Sequence, residues 1–131
     1  AKAHQFVTFT TPTNLQRAVA MGLEQEDNYF AGLCAAQEAK RDRIRDALED
    51  AGFETLYTAG TYFLSVDIRS VGFEGGDVAF CEHIIREAGV AAIPLSAFYQ
   101  KNGQPHFARF CFCKQDSILD EAAARLKNHF A

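Results

Sequence analysis

No stretch of the chain stays apolar for the roughly 20 residues that a bilayer-spanning helix needs, and no charged-then-apolar leader opens it. Basic residues are in the minority. Lys and Arg number 13 against 17 Asp and Glu, for a formal charge of −4 and a pI near 5.5. That balance argues against nucleic acid or a membrane as a partner. The sequence has no C-x-x-C pair, no G-x-S-x-G, no Walker loop and no H-E-x-x-H. These absences exclude the common redox, serine-hydrolase, P-loop and zincin signatures. No internal repeat and no low-complexity linker divides the chain.

What is present suits an ordinary globular domain. The chain has 131 residues, 48% of them hydrophobic and 23% charged, enough to bury a core. Four cysteines stand at positions 34, 81, 111 and 113. Cys111 and Cys113 lie too close along one extended segment to bridge easily, while Cys34 and Cys81 fall on apolar stripes of predicted helices. The expectation is reduced thiols in a cytoplasmic protein. A metal held by His106 and the two strand cysteines is the alternative. Their spacing matches no common zinc pattern, so no metal is expected.

Residues 4–11, HQFVTFTT, are rich in threonine and predict an extended or loop-like entry. Thr13, with Gln16 three residues on, has the form of a capping box. Leu15, Val19 and Leu23 give the helix that follows an apolar stripe. A longer helix is predicted from about residue 29 to 51, with Phe30, Leu33, Cys34, Ile44 and Leu48 inward and Gly52 as its left-handed stop. Its charged middle, QEAKRDRIRD, lets Glu38 pair with Arg41 and Asp42 with Arg45. FETLYT and TYFLSVDI then have the composition of strands. Asp77 is placed as the cap of a helix with Val78, Cys81, Ile84, Ile85 and Ala88 inward, stopped by Gly89. VAAIPL is a strand broken at Pro94, and Asn102-Gly103 marks a turn. An amphipathic helix capped by Ser117 closes the chain. The architecture predicted is α+β: a small sheet of three or four strands with helices on its faces.

The segment HFARFCFCK, residues 106–114, poses the chemical question. In a strand, Phe107, Arg109, Cys111 and Cys113 point one way, and Ala108, Phe110 and Phe112 the other. Both sets are apolar apart from Arg109, so the strand is expected to be covered on both sides. A guanidinium cannot be neutralised, and an uncompensated interior charge costs several kcal/mol. Two anions remain open for Arg109. One is internal: Asp67, Glu54 or a carboxylate of the last helix. The other is a ligand carboxylate, received in bidentate fashion in a cleft. GFEGGD before a helix is a weaker anion-site signal, and His4, His83, His106 and His129 show no partner spacing.

Several pieces, in order, resemble one family. GVAAIPLSAFY, a loop, then ARFCFCK and DSILDEAAARL resemble the C-terminal segment of class I (fold type I) pyridoxal-phosphate aminotransferases, in which a strand ending in I/V-P-x-S-x-F precedes a strand with an arginine. AKRDRIRDALEDAGFETLYTAGTYFLSVDI resembles that family's connecting helix and the first strands of its small domain. HQFVTFTTPTNLQRAVA resembles a loop and helix late in its large domain. The wording is nearest to the methionine, kynurenine and glutamine transaminase branch.

The resemblance implies a mostly antiparallel small-domain sheet. It implies that residues 29–131 are the small domain with its connecting helix, and residues 1–28 a remnant of the large, cofactor-binding domain. Arg109 matches the arginine that binds the substrate α-carboxylate, and Phe9 and Thr10 match a loop that lines the partner subunit's substrate pocket. The cofactor implied is pyridoxal 5'-phosphate, the reaction an exchange of an amino group between an α-amino acid and a 2-oxo acid, and the assembly a homodimer. Which amino acid is the substrate stays open. The family's Schiff-base lysine sits in an S-K-x motif upstream, with the groups that hold the cofactor's phosphate and ring, and none has a match here. Lys2, Lys40, Lys101, Lys114 and Lys127 fall outside such a motif. The expectation is therefore a C-terminal portion with no catalytic residue of its own, unknown cofactor contacts and no turnover alone. The alternative is a stand-alone amino-acid-binding regulatory module in which Arg109 holds a carboxylate without chemistry.

Overall fold

The computed structural model describes residues 2–7, 10–100, 103 and 105–130. The chain falls into two compact units, residues 1–34 and 35–131. The first holds α1 (Lys2–Val7), α2 (Thr13–Leu23) and the start of α3 (Asp27–Asp50). A helix at α1 replaces the predicted loop at its N-terminal part. KAHQFV has no Gly or Pro and carries three good helix formers, while the threonines that suggested extended chain begin only at position 8. The predicted stripe of α2 is present but uncovered, for Leu15, Val19 and Leu23 are exposed. Its capping box does not form. Pro12 occupies the cap position, and Gln16 Nε2 turns back to donate to the Thr11 carbonyl at 2.6 Å. Phe30, Leu33 and Cys34, predicted inward on α3, are exposed too.

The second unit carries the core. After α3 come β1 (Glu54–Thr55), β2 (Phe63–Asp67), a 3-10 turn (Ile68–Val71), α4 (Asp77–Glu87), β3 (Ile93–Pro94), a second 3-10 turn (Leu95–Phe98), β4 (Phe107–Cys111) and α5 (Asp116–Phe130). The strands form one antiparallel sheet in the order β1-β2-β4-β3, so the class is α+β. Pro94, which has no N–H to donate, falls on an edge strand, where that loss is tolerated. Gly52 ends α3 with φ +93°, a left-handed conformation that a Cβ disfavours. The pairs of Glu38 with Arg41 and Asp42 with Arg45 form at 3.0 and 2.8 Å along α3.

Alternation sorts the two central strands. Leu64 and Val66 of β2, and Ala108 and Phe110 of β4, are buried with Ile44 and Leu48 of α3, Phe80, Cys81 and Ile84 of α4, and Leu119, Ala123 and Leu126 of α5. Phe80 lies at the centre, edge-on to Phe53 at 6.0 Å and to Phe73 at 5.3 Å. Truncating such a residue to Ala typically costs about 3–5 kcal/mol. The opposite set, Phe63, Ser65, Phe107, Arg109 and Cys111, is only partly buried, and Cys113 is exposed. The expectation that β4 is covered on both sides is thus corrected. Helices cover one face and leave the other open.

Three smaller expectations fail. Val78 and Ile85 face outward, because Phe80 takes the inward position on α4. Asp77 is the first residue of α4 rather than its cap, a place taken by Gly76 at φ +82°. At α5, Ser117 lies within the helix, and the Gln115 carbonyl receives the N–H groups of Ile118 and Leu119. The Asn102 half of the predicted turn lies outside the described residues.

Candidate functional site

Arg109 sits at the middle of β4, with Ser65 of β2 on one side and Ile93 of β3 on the other. Its side chain therefore rises from the centre of the open face. Diagonal neighbours on β2 are Phe63 and Asp67, each two residues from Ser65 on the same face. The guanidinium carbon lies 5.0 Å from the Phe63 ring centroid and 4.7 Å from that of Phe98, which the 3-10 turn after β3 delivers. Cation–π contacts of this kind are worth about 0.5–2 kcal/mol each. They use the faces of the rings and leave the five N–H donors unengaged.

The internal anions considered for Arg109 are all committed elsewhere or unlinked to it. Asp67 accepts from Arg69 Nε at 2.9 Å and from its backbone N–H at 2.9 Å. The Arg69 guanidinium beside it holds the Asp67 carboxyl below the usual carboxylate range. On α5, Asp120 takes Arg43 in bidentate fashion with both N–O distances at 2.6 Å, and Asp116 lies 3.8 Å from the same arginine. Glu121 holds Arg125. The backbone N–H of Glu54 is received by Ser70 Oγ at 2.8 Å, and its carboxylate makes no ion pair with Arg109. Among the described residues Arg109 makes no hydrogen bond and no ion pair. A half-buried, planar, five-donor cation stands on an open face against two rings.

The turn that carries Phe98 has its own anchor. Asp77, 2% exposed, accepts from the Ser96 N–H at 2.6 Å and the Ser96 hydroxyl at 2.8 Å. Composition alone did not single out Phe63, Phe98, Asp77 or Ser96. A signal existed for Phe63, since period-two spacing puts it on the Arg109 face. Ser96 and Phe98 stand in the I/V-P-x-S-x-F motif and Asp77 opens a helix, but nothing local pairs Asp77 with Ser96, 19 residues away.

Thr10 belongs to the first unit, is exposed, and donates from Oγ1 to the Thr11 carbonyl at 3.3 Å. Phe9 lies outside the described residues. A cleft of about 310 Å³ lies between β4, α5 and residues 89–91, lined among others by Phe110, Ala122 and Leu126. Arg109 is not part of it. Among the described residues no group of three His, Cys, Asp or Glu is placed to hold a metal ion, and no helix is long and apolar enough to cross a membrane.

The family model described as aminotransferase class I and II matches residues 1–126. The chain is 40% identical over 126 residues to the methionine aminotransferase of Escherichia coli, covering 96% of this chain and 32% of that protein. To the kynurenine–oxoglutarate transaminase of Dictyostelium discoideum it is 35% identical over 142 residues, covering 93% and 33%. Among solved structures, the N-succinyldiaminopimelate aminotransferase of Mycobacterium tuberculosis matches with a TM-score of 0.84 at 39% identity, over 95% of this chain and 32% of that one. The chain thus spans about a third of the length of the curated relatives it matches.

Proposed function

Because the chain belongs to the class I and II aminotransferase family, we propose that it serves as the C-terminal third of a pyridoxal-phosphate-dependent aminotransferase and supplies the arginine that holds the substrate. The enzyme moves an amino group between an α-amino acid and a 2-oxo acid. Residues 29–131 act as its small domain, and residues 1–28 belong to its large domain. The single observation that carries the proposal is the state of Arg109: central on the open sheet face and without an acidic partner among the described residues.

The chemistry of the arginine suits the task. A guanidinium offers two parallel N–H donors to the two oxygens of a carboxylate, which fixes the orientation of the acid as well as its position. The two rings restrain the fork before substrate arrives, so less freedom is lost on binding. A carboxylate fixed in this way leaves the α-amino group and the α C–H in a defined direction, and positioning of that kind lowers the barrier of a reaction carried out beside it. The same proposal gives Phe9 and Thr10 a place at the substrate pocket of a partner subunit in a homodimer.

The cofactor's site does not fit this chain alone. Pyridoxal phosphate stabilises the carbanion when bound, and it needs an amine for its aldehyde and cations for its phosphate. Lys40 Nζ is hydrogen-bonded to the Lys114 carbonyl at 2.6 Å, and Lys127 lies 3.5 Å from Asp50. Lys2 and Lys114 are exposed, and Arg41, Arg43, Arg45, Arg69, Arg86 and Arg125 each hold a carboxylate. No lysine of this chain lies in the family's S-K-x motif, so cofactor attachment is assigned to residues outside it, and this chain's part is to bind and orient the substrate. A crystal structure of the full-length enzyme with a substrate-like acid tests the proposal. Two N–O distances of about 2.7–2.9 Å from Arg109 to the carboxylate are expected. A carboxylate held elsewhere, with Arg109 turned to solvent, contradicts it.

A further inference from the structure

Asp77 is buried, carries a carboxylate and pairs with no arginine or lysine among the described residues. Its acceptors are all used by uncharged donors. Oδ2 receives the Ser96 N–H at 2.6 Å, and Oδ1 receives the Ser96 hydroxyl at 2.8 Å and the Val78 N–H at 2.9 Å. The Asp77 N–H donates to the Pro105 carbonyl at 2.6 Å. One residue at the start of α4 thereby ties down two other segments. The first is the turn Leu95–Phe98; the second is the entry to β4, which begins two residues after Pro105. The amino end of α4 favours an anion at this place, which helps to keep the carboxylate buried without a counter-ion.

Both tethered segments lead to Arg109. Phe98 ends the turn that Ser96 fixes, and its ring lies 4.7 Å from the Arg109 guanidinium carbon. Pro105 leads into the strand on which Arg109 stands. Phe63 contacts the guanidinium from β2, so the ring on the sheet is set by strand pairing and the ring on the loop by Asp77. Gly103 completes the loop's packing. A Cβ there would come within 3.2 Å of Ser96 Cα.

We infer that Asp77 is a positioning residue for the substrate carboxylate, acting through Ser96 and Phe98 to hold the Arg109 fork in one plane. The inference rests on the assignment of Arg109 to the substrate carboxylate. Asp77 touches neither substrate nor cofactor in this scheme. Removing its carboxylate leaves the charge of Arg109 in place and frees its orientation, which matters because a bidentate pair depends on the plane of the fork. Asn at position 77 cannot substitute. Whichever way its amide turns, its NH2 group faces a backbone N–H that now lacks an acceptor, that of Ser96 or that of Val78.

The test uses the full-length enzyme and four variants: Asp77→Asn, Phe98→Leu, Phe98→Tyr and Arg109→Lys. Phe98 is 59% exposed, so Phe98→Leu carries the test even where Asp77→Asn fails to fold. Asp77→Asn and Phe98→Leu are each expected to raise KM for amino acids with a free α-carboxylate by about threefold to tenfold, with a smaller change in kcat. Amines that lack the carboxylate should be unaffected. Phe98→Tyr keeps the ring face and should restore KM to within about twofold of the parent. In the 131-residue chain, the Nε–H resonance of Arg109 should lose the part of its ring-current shift that Phe98 supplies in Phe98→Leu and Asp77→Asn, and keep it in Phe98→Tyr. Unchanged KM in Phe98→Leu or in a folded Asp77→Asn, with a raised KM in Arg109→Lys, overturns the inference and leaves the role of Arg109 standing. Unchanged KM in Arg109→Lys overturns that role, and the inference with it.

Discussion

Asp67 gives its carboxylate to Arg69, two residues along the chain, and not to Arg109, one diagonal away across the sheet. Arg69 Nε lies 2.9 Å from Oδ1 and 3.1 Å from Oδ2, and the Arg69 backbone N–H donates to Oδ1 at 2.9 Å. That local ring is what leaves Arg109 without a partner. Removing Arg69 should therefore act at a distance. In Arg69→Ala the buried carboxylate of Asp67 is left without its cation, and the unpaired guanidinium one diagonal away is expected to turn toward it. The full-length Arg69→Ala enzyme is expected to show a KM for α-amino acids raised about threefold or more, and the double variant with Asp67→Asn should recover it. Steady-state kinetics of the two variants decides the matter. A KM unchanged in Arg69→Ala contradicts it.

The same pair predicts a pH dependence of stability. The Arg69 guanidinium lowers the folded pKa of Asp67 below its ordinary 3.8, against the opposing effect of burial. A depressed carboxylate contributes stability that is fully present above the unfolded value. It is lost as pH falls through the folded one. Asp42 and Asp120 are lowered for the same reason by Arg41 and Arg43. Urea unfolding between pH 3 and 7 should therefore show little change above about pH 5 and a steep loss below about pH 4. Asp67→Asn should flatten that loss. An equal slope in the variant would show that the pair contributes nothing.

Cysteine reactivity should divide by depth. Burial, with Asp77 nearby, pushes the Cys81 thiol up to about 11, whereas Cys34 and Cys113 are exposed. The thiolate is the reactive form. At neutral pH, mass spectrometry after brief alkylation of the native chain should find Cys34 and Cys113 modified and Cys81 intact. Labelling of Cys81 at a rate matching Cys113 contradicts the buried core at α4.

How much was legible in the sequence follows from where each residue's partner lies. The helices α3, α4 and α5 and the strands β2 and β4 announce themselves because their periodicities are local. Arg109 was legible for the same reason, as the one charge in an alternating apolar strand. The open face was not. Phe63, Phe107 and Cys111 are as apolar as the buried set, and alternation cannot tell a covered face from one that awaits another surface. Although Gly76 takes the cap position, Asp77 looks like a helix cap because an acidic residue just before an apolar helical run is the local signature of one. Its actual partner, Ser96, is brought to it only by the fold. At α1, the threonines of the following segment outweighed a short helix-forming stretch.

The first unit should be the least protected part of the chain. α2 buries none of its residues, while α3 buries only Ile44 and Leu48, both in the second unit. A helix without a covered face depends on its intrinsic propensity, and at this length that is marginal in water. Hydrogen exchange of the 131-residue chain should show residues 13–23 exchanging fast, and β2, β4 and α5 slowly. Protection of α2 equal to that of β4 in a monomer contradicts this.

The proposed recognition of the substrate's α-carboxylate by Arg109 is tested most directly by kcat/KM of the full-length enzyme with Arg109→Lys and Arg109→Ala. Lysine keeps the charge and loses the planar fork, so the account predicts a loss of about tenfold or more for α-amino acids. Alanine should lose more. Both variants should act on amines that lack the carboxylate nearly as well as the parent does, and Arg109→Lys, which keeps a cation beside the Phe63 and Phe98 rings, should keep its thermal stability, since Arg109 makes no ion pair among the described residues. Equal losses for both substrate types, together with a fall in unfolding temperature, would instead make Arg109 a structural residue and contradict the account.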